Sequence, residues 1–215
     1  MYKFLRISSS YPKFLSLYEK KIKKNKYHKY DDILENYFEE SYSVSNNITI
    51  ELKKRKYECF EVISNFTYLQ NKWIEQYGNK NSNENIVLQQ IKFYKPDIIY
   101  FGNVDLVTNN FISEIKKLKF IKILIGFHCA PFNNRIFTNL NNLDCIVTCT
   151  KGYLHMLKNK LSKPILLMQH SFPVRYSKKK LNRSIDITFI GSIFVGESLH
   201  NKRVNLIFEL MKNFK

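Results

Sequence analysis

Two groups of residues in this chain have the types and spacing that chemistry requires. The first is a polar set placed directly after, or at the end of, short apolar runs. Ser8, Ser9, Ser10 and Tyr11 follow residues 3–7, Asn65 follows 57–63, and Asn103 and Asp105 follow 97–101. His128 follows 121–126, Thr148 stands near the end of 143–149, and His170 follows 164–168. If each run is a strand, these side chains gather at strand ends, where hydroxyl, amide and imidazole groups can hydrogen-bond a ligand. Strand-end loops are polar in any protein, because their backbone groups need partners. The set therefore locates a cleft rather than a reaction. Ser9, Ser10, Asn65 and Asn103 are its candidate ligand-binding residues, and His128 is the catalytic candidate. A neutral imidazole after a buried strand and Gly126 can act as a general base. The competing reading is a histidine tied down within the loop that precedes Pro131.

The second group is Gly191, Ser192 and their neighbours. Residues 191–198 (GSIFVGES) have the spacing of a phosphate-binding loop and follow the apolar run 186–190. Glu197 stands where that loop needs lysine, and a carboxylate there repels the phosphates it should hold. The spacing therefore does not make a nucleoside triphosphatase. Gly191 and Ser192 can serve a diphosphate more simply, through close backbone approach and N–H groups turned toward the anion. His200 and Arg203 can add charge. A plain turn with a surface arginine is the alternative.

Other signatures are missing. The sequence has no GxSxG, HExxH or GxGxxG, and no RNP-like aromatic pattern. Cys59, Cys129, Cys145 and Cys149 form no C-x-x-C pair and complete no zinc pattern with His155 or His170. They are expected to be buried free thiols in a reducing cytosol, and no metal or other cofactor is expected.

The elements that must carry these residues alternate. Strands are expected at 3–7, 57–63, 97–101, 121–126, 143–149, 164–168 and 186–190. Residues 57–63 (YECFEVI) alternate as a strand with one covered face does. Helices are expected from Pro12, with Ser10 as a candidate cap, over 31–38, 45–55, 68–77, 86–94, 109–118, 133–140 and 201–214, and after Thr150, carrying Tyr153, Leu154 and Leu157. Thr108 or Asn109 and Thr150 are further candidate caps. The order strand, helix, strand calls for an α/β, Rossmann-like, mostly parallel sheet with helices on both faces. All strand tips then share one edge. The final strand and helix cannot bury a core by themselves.

Composition narrows the function classes. A hydrophobic fraction of 44% and an aromatic fraction of 15% are enough for a real core. Net charge is +17, from 35 Lys and Arg against 18 Asp and Glu. That favours an anionic partner such as phosphate-bearing substrates, nucleic acid or an anionic membrane surface. Most of the charge is lysine spread along the chain, which makes nucleic acid the least favoured partner and leaves a peripheral membrane contact open. No apolar run approaches the ~20 residues that span a bilayer, and residues 1–14 hold no signal-peptide core. Localisation is expected to be cytoplasmic. The sequons at 47–49, 65–67 and 182–184 have no meaning without a secretory route.

Several stretches, in order, resemble one family. They are FLRISSSYPKFL (4–15), LQNKWIEQYG (69–78) and IVLQQIKFYKPDIIYFGN (86–103). LDCIVTCTKGYLHMLKN (143–159), PILLMQHSFP (164–173) and DITFIGS (186–192), the last followed by His200 and Arg203, continue the match. Together they are similar to bacterial glycosyltransferases of the GT-B fold, in the spore-maturation-protein-like and surface-polysaccharide group. The resemblance covers nearly the whole chain. It implies transfer of a sugar from a nucleotide-diphosphate donor to a glycan or other hydroxyl acceptor, usually without a required metal. It also implies an acceptor-side domain over 1–183 and, over 184–215, the first strand and helix of a truncated donor-binding domain. In that frame Gly191, Ser192 and Arg203 lie near the donor diphosphate, and Ser9, Ser10, Asn65 and Asn103 line the acceptor-side cleft. GFHCAPFNN (126–134) matches the family only loosely, which weakens a role for His128 on that ground. The alternative function is a non-catalytic basic Rossmann-type module that binds nucleic acid or an anionic surface.

Overall fold

The computed structural model describes residues 1–24, 29–40, 44–131, 133–169 and 201–213. The chain divides into two compact units, Met1–Pro173 and Val174–Lys215. In the second, the described element is the helix Asn201–Asn213, on which Leu206, Phe208 and Met211 stand exposed. The expected strand at 186–190, the expected domain boundary at 183, and His170, Gly191, Ser192, His200 and the Arg203 side chain lie outside the described residues.

The first unit is built on six parallel strands in the order β2-β1-β3-β4-β5-β6. They are β1 (Lys3–Ser8), β2 (Glu58–Ile63), β3 (Ile98–Phe101), β4 (Ile123–Phe127), β5 (Cys145–Thr148) and β6 (Ile165–Leu167). Helices α1 (Pro12–Lys24), α2 (Tyr30–Glu40) and α3 (Asn47–Lys54) join β1 to β2. Helices α4 (Thr67–Gln76) and α5 (Ile86–Tyr94) carry the chain back across β1 to β3. A 3-10 turn (Val104–Leu106), then α6 (Asn109–Lys116), α7 (Asn134–Asn141) and α8 (Lys151–Lys160), serve the remaining crossovers.

The direction of travel reverses once. β1 steps to β2 on one side, and every later crossover moves the other way. Right-handed crossovers in opposite directions put their helices on opposite faces, and the cores sort accordingly. Leu5, Ile7, Ile99, Phe101, Leu124 and Ile146 pack under apolar residues of α5 to α8. On the other face Phe4, Cys59, Tyr100 and Val147 meet Ile48 and Leu52 of α3. A third cluster joins Leu15, Tyr18 and Ile22 of α1 to Tyr37 and Phe38 of α2 and to Leu69 and Trp73 of α4.

Local chemistry sets the helix ends. Asn85, Thr108, Asn133 and Thr150 each accept a backbone N–H with the side chain, as N-caps do. Lys95 closes α5 in the left-handed region at φ 48, just before Pro96. Ser10 does not cap α1. The first helical hydrogen bond runs from Leu15 N–H to the Tyr11 carbonyl, so Tyr11 is the cap residue. Lys163 Nζ donates to the carbonyls of Leu140, Asn141 and Leu143 at 3.2, 2.9 and 2.6 Å, placing a cation on the end of α7.

Strand β2 also differs from its alternating pattern. Glu61, Val62 and Ile63 are all buried, so both faces are covered there. What permits a carboxylate at Glu61 is a partner on the next strand. Arg6 Nε donates to its carboxylate at 2.8 Å, and Thr49 Oγ1 of α3 donates to it at 2.8 Å. The register aligns Arg6 with Glu61 directly.

Candidate functional site

In a doubly wound sheet, ligands bind outside the carboxyl ends of the strands at the point where strand order reverses. Here that point lies between β1 and β3. A cleft of about 570 Å³ opens there, lined by Ser9, Ser10, Asn65, Asn103 and His128 together with Tyr11, Gly102, Asp105 and Cys129. The structure thus brings together the five described site residues named from sequence. Thr148 ends β5 as a fully buried residue and does not line the cleft.

Hydrogen bonds separate the positioning groups from those that face a ligand. Asn65 accepts the Ser10 N–H at 2.9 Å and donates to the Ser10 carbonyl at 2.7 Å. Its amide thereby extends the β1–β2 pairing beyond the strand. Asn103 donates to Ser9 Oγ at 2.9 Å and accepts the Asp105 N–H at 2.9 Å. It ties the end of β3 to the end of β1. Gly102 lets the two tips close together. A Cβ there would lie 2.7 Å from Ser8 Oγ, while its N–H donates to the Ile7 carbonyl at 2.8 Å.

His128 is 8% exposed, and its N–H donates to the Val147 carbonyl at 2.9 Å. The ring Nε2 lies 3.0 Å from the Ala130 carbonyl, which requires the proton on Nε2. Burial pushes the imidazole below its ordinary value of 6.5, outweighing the hydrogen bonds to the Ala130 and Pro131 backbone that favour the cation. The ring is therefore a neutral loop tie at neutral pH.

A depressed folded value means that the unfolded chain binds more protons below 6.5. The His128 contribution is complete above that pH and is lost as pH falls from 6.5 toward the folded value. His128→Asn is expected to flatten that part of the profile. Thermal unfolding of both proteins between pH 8 and about pH 5 checks it. An unchanged slope in the variant would show that another group carries the acid loss.

Beside His128, Cys129 pairs with Cys149 in a disulfide, Cα to Cα 5.7 Å. This corrects the expectation of four free thiols. Cys59 and Cys145 are free. The pair forms because adjacent parallel strands β4 and β5 bring their tips side by side, although 20 residues separate the two positions. Asp105 accepts from Arg135 Nη2 at 2.7 Å, so the acidic residue among the described cleft lining has a cationic partner.

A second cavity, also about 570 Å³, lies along the β2 edge and is lined in part by Phe38, Thr49, Glu61, Tyr77 and Tyr94. Internal bonds already engage several of its polar groups. Tyr77 donates to Asp31 at 2.6 Å, and Glu61 holds Arg6. Neither reversed strand order nor strand tips converge on it. Among the described residues, no three His, Cys, Asp or Glu side chains come together as a metal site would need. Comparison with protein-family models, curated proteins and solved structures finds no match to this chain.

Proposed function

We propose that this chain is the acceptor side of a sugar-nucleotide-dependent glycosyltransferase acting in surface glycan or polysaccharide biosynthesis. The observation that carries the reading is the character of the β1/β3 cleft. Its hydroxyl, amide and imidazole groups sit at the switch point, and Asp105 is paired with Arg135. Neutral donors and acceptors suit a polyhydroxylated substrate, whose many hydroxyls must each find a partner when water leaves. In this reading a base, with His128 as the candidate, takes the proton of an acceptor hydroxyl. The oxygen attacks the anomeric carbon, and the nucleoside diphosphate departs with the bonding pair. Gly191, Ser192 and Arg203 are assigned to the donor diphosphate, with no metal cofactor.

The setting that fits is the cytoplasm, where lysines can give peripheral contact with an anionic membrane. Among the described residues, no helix is long and apolar enough to cross a membrane.

Nuclear magnetic resonance titration with simple alkyl glycosides tests the reading. Glycosides are expected to move the Ser9, Asn103 and His128 resonances with dissociation constants on the order of 1 mM. If glycosides leave the cleft unmoved while a DNA duplex binds with steep salt dependence, the basic binding module replaces this function.

A further inference from the structure

One polar group in the cleft has no answer from the fold. Ser10 is 8% exposed, and its Oγ, shielded from solvent, has no hydrogen-bond partner among the described residues. Native folds leave few such groups, and each calls for an explanation. Neither amide of the corner takes its proton. Asn65 is engaged at both ends by the Ser10 backbone, and Asn103 Oδ1 holds the Asp105 N–H. Ser9 presents the same polarity. Its Oγ accepts from Asn103 Nδ2, which leaves its own proton to give away. Two adjacent hydroxyls thus offer donors at one corner of the cleft.

Helix α1 begins at the same corner, and Tyr11 and Pro12 line the same cleft. A helix N-terminus carries partial positive charge, and carboxylates usually gather there. Helix α2 follows that rule with Asp31 and Asp32, whereas the first turn of α1 holds no acidic residue. The corner therefore combines two hydroxyl donors and a 13-residue helix dipole with no carboxylate in its first turn, while Asp105 across the cleft is neutralised by Arg135.

We propose that the β1–α1 corner is a phosphate subsite, with Ser10 and Ser9 donating to phosphoryl oxygens above the α1 N-terminus. The anion chemistry stands on these residues. That the phosphate belongs to the acceptor, rather than to the donor diphosphate, rests on the glycosyltransferase reading.

The test is titration of this chain with methyl phosphate, pyrophosphate and UDP at constant ionic strength, followed by calorimetry and by the Lys13 backbone amide resonance. Methyl phosphate is expected to bind and to shift Lys13. Ser10→Ala is expected to weaken that binding roughly tenfold to a hundredfold, as loss of a hydrogen bond to a charged group does. Without phosphate, Ser10→Ala should melt at or above the wild-type temperature, because the lost hydroxyl had no partner. Ser9→Ala gives the same reading at the neighbouring donor. An unmoved Lys13 amide, wild-type affinity in Ser10→Ala, or a lower melting temperature without phosphate overturns the subsite. UDP binding more than about tenfold tighter than pyrophosphate overturns the acceptor assignment. The two readings fail separately. A phosphate site without glycosyl transfer would remove the enzyme and keep the subsite. Equal transfer to neutral and phosphorylated acceptors would remove the subsite and keep the enzyme.

Discussion

Arg6→Met and Glu61→Leu are each expected to destabilise the fold by about 3–5 kcal/mol, and the double variant by far less than their sum. Both side chains are only 8% exposed and meet at 2.8 Å. Removing one leaves the other charged and buried, whereas replacing both with apolar groups removes the desolvation cost along with the attraction. Arg6 Nη2, buried without a hydrogen-bond partner among the described residues, already makes the pair an imperfect one.

The two single variants should differ in their response to pH. Burial holds the Glu61 carboxyl above its ordinary value of 4.5 even beside Arg6 and Thr49. A raised carboxyl value means that the folded state binds more protons, so stability from this group falls as pH rises through 4.5 toward the folded value. Without Arg6 that value rises further, and Arg6→Met should lose much of its penalty in acid as Glu61 takes up a proton. Glu61→Leu leaves a guanidinium that cannot deprotonate, and its penalty should stay level. Urea unfolding of the four proteins near pH 5 and pH 8 reads both effects. Single-variant costs under about 1 kcal/mol would mean that solvent reaches the pair.

Opening the Cys129–Cys149 disulfide is expected to cost about 3 kcal/mol, the loop-closure entropy of a link of this length. The 20-residue separation places the pair near that scale. Cys129→Ala with Cys149→Ala should reproduce the loss and make stability indifferent to reductant. Alkylation under denaturing conditions should label the two free cysteines, Cys59 and Cys145, without reductant, and all four with it. Four labels without reductant would contradict the pairing. The bond also matters to the cleft. Cys129 lines it beside His128, so reduction frees the wall that His128 helps to hold. In the reducing cytosol of the proposed setting such a bond is labile.

Much of the cleft was legible because its residues follow strands directly. Once residues 3–7, 97–101 and 121–126 are strands of one parallel sheet, Ser9, Ser10, Asn103 and His128 must reach one edge. The division of labour among them was not legible. Asn65 and Asn103 bind backbone and a neighbouring hydroxyl, which makes them positioning groups, while Ser10, a candidate helix cap by sequence, leaves its hydroxyl unpartnered. Arg6 within FLRIS and Glu61 within YECFEVI were the signals of a buried pair. Neither run shows that the two strands adjoin.

Among the described residues, sequence alone determined the element types, most helix starts and the parallel α/β class. Those depend on apolar period, capping chemistry and the alternation of segments, which act over a few residues. Tertiary structure decided the order β2-β1-β3-β4-β5-β6, and with it which tips meet. It also decided the Arg6–Glu61 pair across 55 residues, the Cys129–Cys149 bond, and the burial of both faces at the end of β2. These depend on which strand lies beside which, and that is set by the packing of whole helices on both faces rather than by any local run.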